Sequence, residues 1–136
     1  SVDAEKNDTE KNPVIHNGKE TILVVEDEAP VRNFVEKALV KYGYNVVSAP
    51  DGEEGLRIYR EKQGLIDLVM LDLTMPKMSG ETLLQKLTEL HKDVRVIISS
   101  GQSEEVLHGF SSAQGYLTKP YQVNDLLQSV RAVLDG

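Results

Sequence analysis

From Thr21 onward the chain alternates short apolar runs with segments of helical periodicity, and nothing else in it limits the possible folds so strongly. The runs are TILVV (21–25), YNVVSA (44–49), the stretch from Leu65 to Leu73 with Asp72 near its end, VRVIIS (94–99) and GYLTK (115–119). Between the first two, PVRNFVEKALVKYG sets Val31, Phe34, Val35, Ala38, Leu39 and Tyr42 on one helical face, with Gly43 as a natural stop. DGEEGLRIYREK reads as a weaker helix whose apolar face is limited to Leu56, Ile58 and Tyr59. A third helix opens near Ser79 and buries Leu83, Leu84, Leu87 and Leu90, and the last one groups Val123, Leu126, Leu127, Val130, Val133 and Leu134. Strands and helices in this order imply a parallel sheet covered on both faces, because each right-handed crossover needs a helix to return the chain. No sequence repeat accompanies the structural one.

Composition narrows the setting. A chain of 136 residues, 40% hydrophobic, supports one domain with a single core. No apolar run approaches the roughly 18 residues that would span a bilayer, and no stretch has the order of a signal peptide, so no direct membrane contact is expected. The absence of cysteine excludes disulfides and thiolate metal sites and fits a reducing compartment. Cytoplasmic location is the expectation for this segment, whether or not a parent chain is anchored in a membrane. A net charge of -7, with the 15 Lys and Arg residues unclustered, argues against nucleic-acid binding. The opening SVDAEKNDTEKNPVIHNGK is polar and aperiodic, so residues 1–19 read as a tail or linker, with His16 a solvated bystander, and residues 20–136 as the domain.

Ligands of open parallel sheets bind outside the carboxyl ends of the strands, where the strand order reverses. At those ends stand Glu26, Asp27 and Glu28 after the first strand, Asp72 on the third, Ser99 and Ser100 on the fourth, and Lys119 with Pro120 on the fifth. Each alone is an ordinary loop or capping residue. Asp72 is the exception, since a carboxylate closing a strand buried on both faces needs a partner, a cation or a chemical role.

ILVVEDE with its acidic pair, MLDLTMPKMSG, IISSG and YLTKP together resemble the receiver domains of bacterial two-component response regulators over about residues 20–136. The resemblance implies a flavodoxin-like doubly wound sheet of five parallel strands in the order 2-1-3-4-5. It implies that Asp72 is phosphorylated, that Lys119 is the active-site lysine, and that Ser100 is the switching hydroxyl with Tyr116 as its aromatic partner. Ser100 is preferred to Ser99 because Gly101 then supplies the small following residue. Glu26, Asp27, Asp72 and the main-chain oxygen of Thr74 would hold Mg2+. The implied donor is a histidine kinase or a histidine phosphotransfer domain, and phosphorylation-dependent self-association is allowed. The GKETILVVEDE opening after a polar linker looks like the C-terminal receiver of a hybrid sensor histidine kinase, or else a stand-alone regulator. Ser1 in place of Met favours an excised piece, and with no DNA-binding segment after Gly136 the output is expected elsewhere.

The chemistry accounts for these residue types. A carboxylate can take a phosphoryl group as an aspartyl phosphate, but its target is anionic and Glu26 and Asp27 crowd it with like charge. A hard divalent cation with oxygen ligands lowers that cost, while a lysine ammonium and a hydroxyl pair with phosphoryl oxygens. Glu26 and Ser100 stand where the family more often has aspartate and threonine. The segment GQSEEVLHGFSSAQ is about one turn shorter than the family's fourth helix, and Gly109, Ser111 and Ser112 weaken its helicity. Two rivals are a degenerate receiver acting only as a protein-binding module and an aspartate-nucleophile phosphohydrolase of the haloacid-dehalogenase type. The second wants an aspartate where Thr74 stands.

Overall fold

A computed structural model describes residues 17–136 apart from Ser103, His108 and Ser111, so the first sixteen residues of the expected tail, His16 included, lie outside the described residues. Five strands, β1 (Thr21–Val25), β2 (Asn45–Ala49), β3 (Leu68–Asp72), β4 (Val96–Ser100) and β5 (Gly115–Thr118), form one parallel sheet in the order β2-β1-β3-β4-β5. The helices are α1 (Ala29–Lys41), α2 (Gly52–Glu61), α3 (Gly80–Leu90), α4 (Glu104–Leu107) and α5 (Val123–Asp135). This is the flavodoxin-like doubly wound arrangement, and the strand order reverses between β1 and β3.

Alternation along the strands divides the core of the domain into two layers, one on each face of the sheet. Leu23, Val25, Val69, Leu71, Val96 and Ile98 point to the side of α2 and α3, while Ile22, Val24, Leu68, Met70 and Ile97 point to the side of α1 and α5. Local chemistry sets the helix starts. Asp51 accepts the Glu54 amide at 2.9 Å to cap α2, and Ser79 accepts the Thr82 amide at 3.2 Å to cap α3. Gln122 and Asp125 form a reciprocal capping box on α5. Gly43, at φ 101°, ends α1 in the left-handed region.

Three expectations need correction. The third strand starts at Leu68, not Leu65; Leu65 is 67% exposed because the chain first turns there, at Gly64 with φ 92°, and Asp67 then accepts the Thr21 amide at 2.8 Å. Phe34 is 38% exposed, its ring tilted against Tyr121 with centroids 6.3 Å apart, outside the core. Leu90, at the end of α3, is also exposed. The short fourth helix is observed: α4 spans four residues anchored by the fully buried Leu107, and beyond it the Gly109, Phe110 and Ala113 amides donate to the Val106, Leu107 and Phe110 carbonyls three residues back. Residues 17–19 are tied to the domain, with the Gly18 amide donating to the Tyr42 carbonyl at 3.2 Å and the Asn45 side chain donating to the Lys19 carbonyl at 3.0 Å. Among the described residues no helix is long and apolar enough to cross a membrane.

Candidate functional site

The carboxyl ends of β1, β3 and β5 bring together Glu26, Asp27, Asp72 and Lys119. Glu26 and Asp72 are only 3% and 4% exposed, unusual for carboxylates, and Asp27 is half-buried. One oxygen from each of the three lies within 4.8 Å of the others. Lys119 Nζ reaches Glu26 Oε1 at 3.0 Å, Asp72 Oδ1 at 3.5 Å and the exposed Glu28 Oε1 at 3.9 Å. One ammonium therefore serves a cluster of carboxylates, and two like charges about 5 Å apart repel by on the order of 3 kcal/mol in a partly screened site.

The electrostatics follow from that imbalance. Burial, then the charge of Glu26, push the Asp72 carboxyl up to about 7, against the pull of Lys119 and of the Thr74 amide, which donates to Asp72 Oδ1 at 3.3 Å. Burial alone would lower the Lys119 ammonium, but its hydrogen bond to Glu26 and the charges of Asp72, Glu26 and Glu28 outweigh it and hold it raised. The backbone assists: the Glu28 amide donates to Glu26 Oε2 at 3.2 Å, and the Lys119 amide donates to the Ser100 carbonyl at 2.7 Å.

The oxygen-only donor set fits a hard divalent cation such as Mg2+. Glu26, Asp27 and Asp72 supply the carboxylates, and Thr74 sits two residues beyond Asp72 in the exposed loop that leads to α3. Ser99 and Ser100 are both buried. Ser99 pairs with Asp72 across the sheet, and Ser100 pairs with Thr118 and accepts the Gln102 amide at 3.1 Å. Strand alternation turns Ser100 to the face of Ile98, where the half-buried Tyr116 also packs, and turns Ser99 to the opposite face. Ser100 and Tyr116 therefore share one side of the sheet. The Tyr116 hydroxyl donates to the Phe110 carbonyl at 2.9 Å and approaches the Ala113 carbonyl at 3.4 Å, holding the turns that follow α4.

Sequence reasoning overlooked two neighbours of the cluster. Arg32, on the first turn of α1, donates from Nη1 to the Glu26 carbonyl at 2.8 Å, and its only sequence signal is its place four residues after Glu28. Tyr121 follows the cis Lys119–Pro120 peptide and buries its hydroxyl, which makes no well-formed hydrogen bond among the described residues and has the Ser99 side chain as its polar neighbour. Burial and the charges of Glu26 and Asp72 raise that phenol above its ordinary range. Lys119, Tyr121, Glu28 and Phe34 line a cavity of about 500 Å³ beside the acidic cluster.

Known proteins resemble this chain over most of its length. The model of the response regulator receiver domain family matches residues 22–131. The chain is 38% identical over 87% of its length to the sensor kinase CckA of Brucella abortus, of which it covers 13%. It is 39% identical over 85% of its length to the probable transcriptional regulator ycf27 of Porphyridium aerugineum, of which it covers 48%. The chain thus spans from about an eighth to about half of these relatives. Among solved structures it is similar to the response regulator protein TrrA of Thermotoga maritima in complex with Mg(2+)-BeF, with a TM-score of 0.76, 30% identity and coverage of 85% of this chain and 99% of that one.

Proposed function

The chain belongs to the response regulator receiver domain family of two-component signalling, and from that premise we propose that it accepts a phosphoryl group on Asp72 from a partner's phosphohistidine and relays the event by a change of shape. The observation that carries this reading is the buried Asp72 carboxylate beside Glu26 and Asp27 with the Lys119 ammonium 3.5 Å away. An Asp72 oxygen attacks phosphorus, the P–N bond breaks, and the donor imidazole leaves with its electron pair. Lys119 pairs with phosphoryl oxygens, leaving Glu26 as it does so, and the Ser100 hydroxyl donates to another. Glu26, Asp27, Asp72 and the Thr74 carbonyl are the residues that would hold Mg2+. When bound it offsets the charge of anion meeting anion.

The partner class that fits is a histidine kinase or histidine phosphotransfer domain, with no nucleic acid contacted by this domain. Hydrolysis of the aspartyl phosphate belongs to the same groups, and a cytoplasmic location suits such a partner. For the relay, Ser100 moves toward the phosphoryl group and Tyr116, on the same face, turns inward and releases the Phe110 carbonyl, altering the surface of α4, β5 and α5. Incubation with a small phosphodonor and Mg2+ should label the wild type with phosphate that survives acid and is lost in base. Asp72→Asn should take up none, and equal labelling of that variant would sink the assignment. Ser100→Ala should still be labelled, while the change in amide-exchange protection around Phe110 to Gln114 shrinks.

A further inference from the structure

The loop from Leu73 to Ser79 carries Thr74 and runs between the phosphoacceptor strand and α3. Its near end is held closely: the Gly80 amide donates to the Leu73 carbonyl at 2.9 Å, and a Cβ on Gly80 would lie 2.4 Å from the Asp72 carbonyl oxygen. Its far side rests on the start of α2. A Cβ on Gly52 would lie 2.9 Å from both Cβ and the carbonyl oxygen of Met78, so any side chain there must move the loop's backbone and not a flexible chain end. Asp51 joins the same contact, one oxygen capping α2 and the other 3.6 Å from Lys77 Nζ. Lys77 holds φ 67°, an uncommon conformation for a residue with a side chain, so the loop has one shape to keep.

The helix is not free to yield instead. Gly55, one turn on, meets Val25 so closely that a Cβ would lie 2.8 Å from it, and Val25 directly precedes Glu26. Retreat of α2 would also expose Leu56 and Tyr59, both buried in the core on that side. We propose that Gly52 is a positioning residue for the cation site: its missing side chain lets α2 seat the Leu73–Ser79 loop, and so sets where the Thr74 carbonyl stands relative to Asp72. This rests on the reading of Glu26, Asp27, Asp72 and Thr74 as the Mg2+ ligands. Outer groups that orient metal ligands commonly change metal affinity by about 10–100-fold when altered.

The test is Mg2+ titration of the whole chain followed by intensity or shift changes of backbone amide resonances, with folding checked by circular dichroism. Gly52→Ala should weaken Mg2+ binding by about tenfold, and labelling by a small phosphodonor should recover toward the wild-type rate at saturating Mg2+. Gly55→Ala, which presses on a side chain of β1 and not on the loop, should lose stability but far less Mg2+ affinity. A folded Gly52→Ala that binds like wild type, or a Gly55→Ala that loses as much affinity, overturns the proposal. Should Gly52→Ala fail to fold, Lys77→Met severs the ion pair to Asp51 and leaves the α2 cap in place, and Mg2+ affinity should fall about threefold; unchanged affinity there overturns it as well. A wild-type chain that binds no Mg2+ would reject the metal reading itself, and this proposal with it.

Discussion

β1 carries a glutamate at each end, and the two meet opposite fates. Glu20, just before the strand, is grasped by Arg131 through both oxygens at 3.0 and 3.1 Å, and Arg131 also donates to Tyr44, to the Asn17 carbonyl and to Asp135. Glu26, just after the strand, shares one lysine with Asp72 and Glu28 while Asp27 crowds in. The hydrogen bond from Arg131 lowers the Glu20 carboxyl, whereas burial and the Glu26 charge raise Asp72. The amino end of the sheet spends its charges on satisfying one another and so ties residues 17–20 and α5 to the turn after α1. The carboxyl end leaves negative charge in excess, as the proposed binding of a cation there requires.

Removing the satisfied centre should produce the largest effect on stability. Arg131→Ala loses charge-assisted hydrogen bonds and packed methylenes, and should cost about 3 kcal/mol, roughly 10 °C in Tm, without altering labelling at Asp72. Thermal denaturation and phosphodonor labelling check both halves. A variant of unchanged Tm would erase the distinction between the two ends.

Asp72→Asn should do the reverse. Its carboxyl sits at about 7 in the folded chain against 3.8 in the ordinary state, so the folded form holds the proton more tightly and stability falls as pH rises from about 4 to 7. Below that window neither state carries the charge and the variant should match wild type; above it the variant should be more stable by a few kcal/mol when Mg2+ is absent. Saturating Mg2+ should stabilise the wild type and narrow the gap. Chemical denaturation at pH 3.5 and pH 8 reads the window directly.

The proposed metal ligands should differ among themselves. Because Lys119 already engages Glu26 at 3.0 Å, Asp27 is the less committed carboxylate, and Asp27→Ala should weaken Mg2+ binding by about tenfold, more than Glu26→Ala. The opposite order in a metal titration would show the pair inverted. Smallest of all, Tyr116→Phe removes the donor to the Phe110 carbonyl and should cost about 1 kcal/mol or less, seen as faster amide exchange in the turns after α4.

The sheet was legible because strands covered on both faces are written as apolar runs, and the gathering of Glu26, Asp27, Asp72 and Lys119 because they follow strand ends. Leu65 misled for the same reason: an apolar residue before a strand looks like its beginning until a turn at Gly64 and the Asp67 side chain define the edge. Phe34 had helical phase with the core residues of α1, yet phase alone does not measure how far round the helix the neighbouring α5 reaches. The Arg131 centre had no readable signal, since its partner Glu20 lies 111 residues away and only the fold closes that distance. The seating of Met78 on Gly52 was hidden likewise, because a glycine at a helix start reads as permissive and gives no sign of what lies against it.

The most direct measurement is the chemical location of the phosphate. After incubation with a small phosphodonor and Mg2+, borohydride reduction converts an aspartyl phosphate to homoserine, which peptide mass spectrometry then places in the chain. The conversion should fall on Asp72 alone and vanish when Mg2+ is chelated; conversion at another residue, or equal conversion at Asp72 without any divalent cation, would contradict the assignment of this acidic cluster as a cation-assisted phosphoacceptor site.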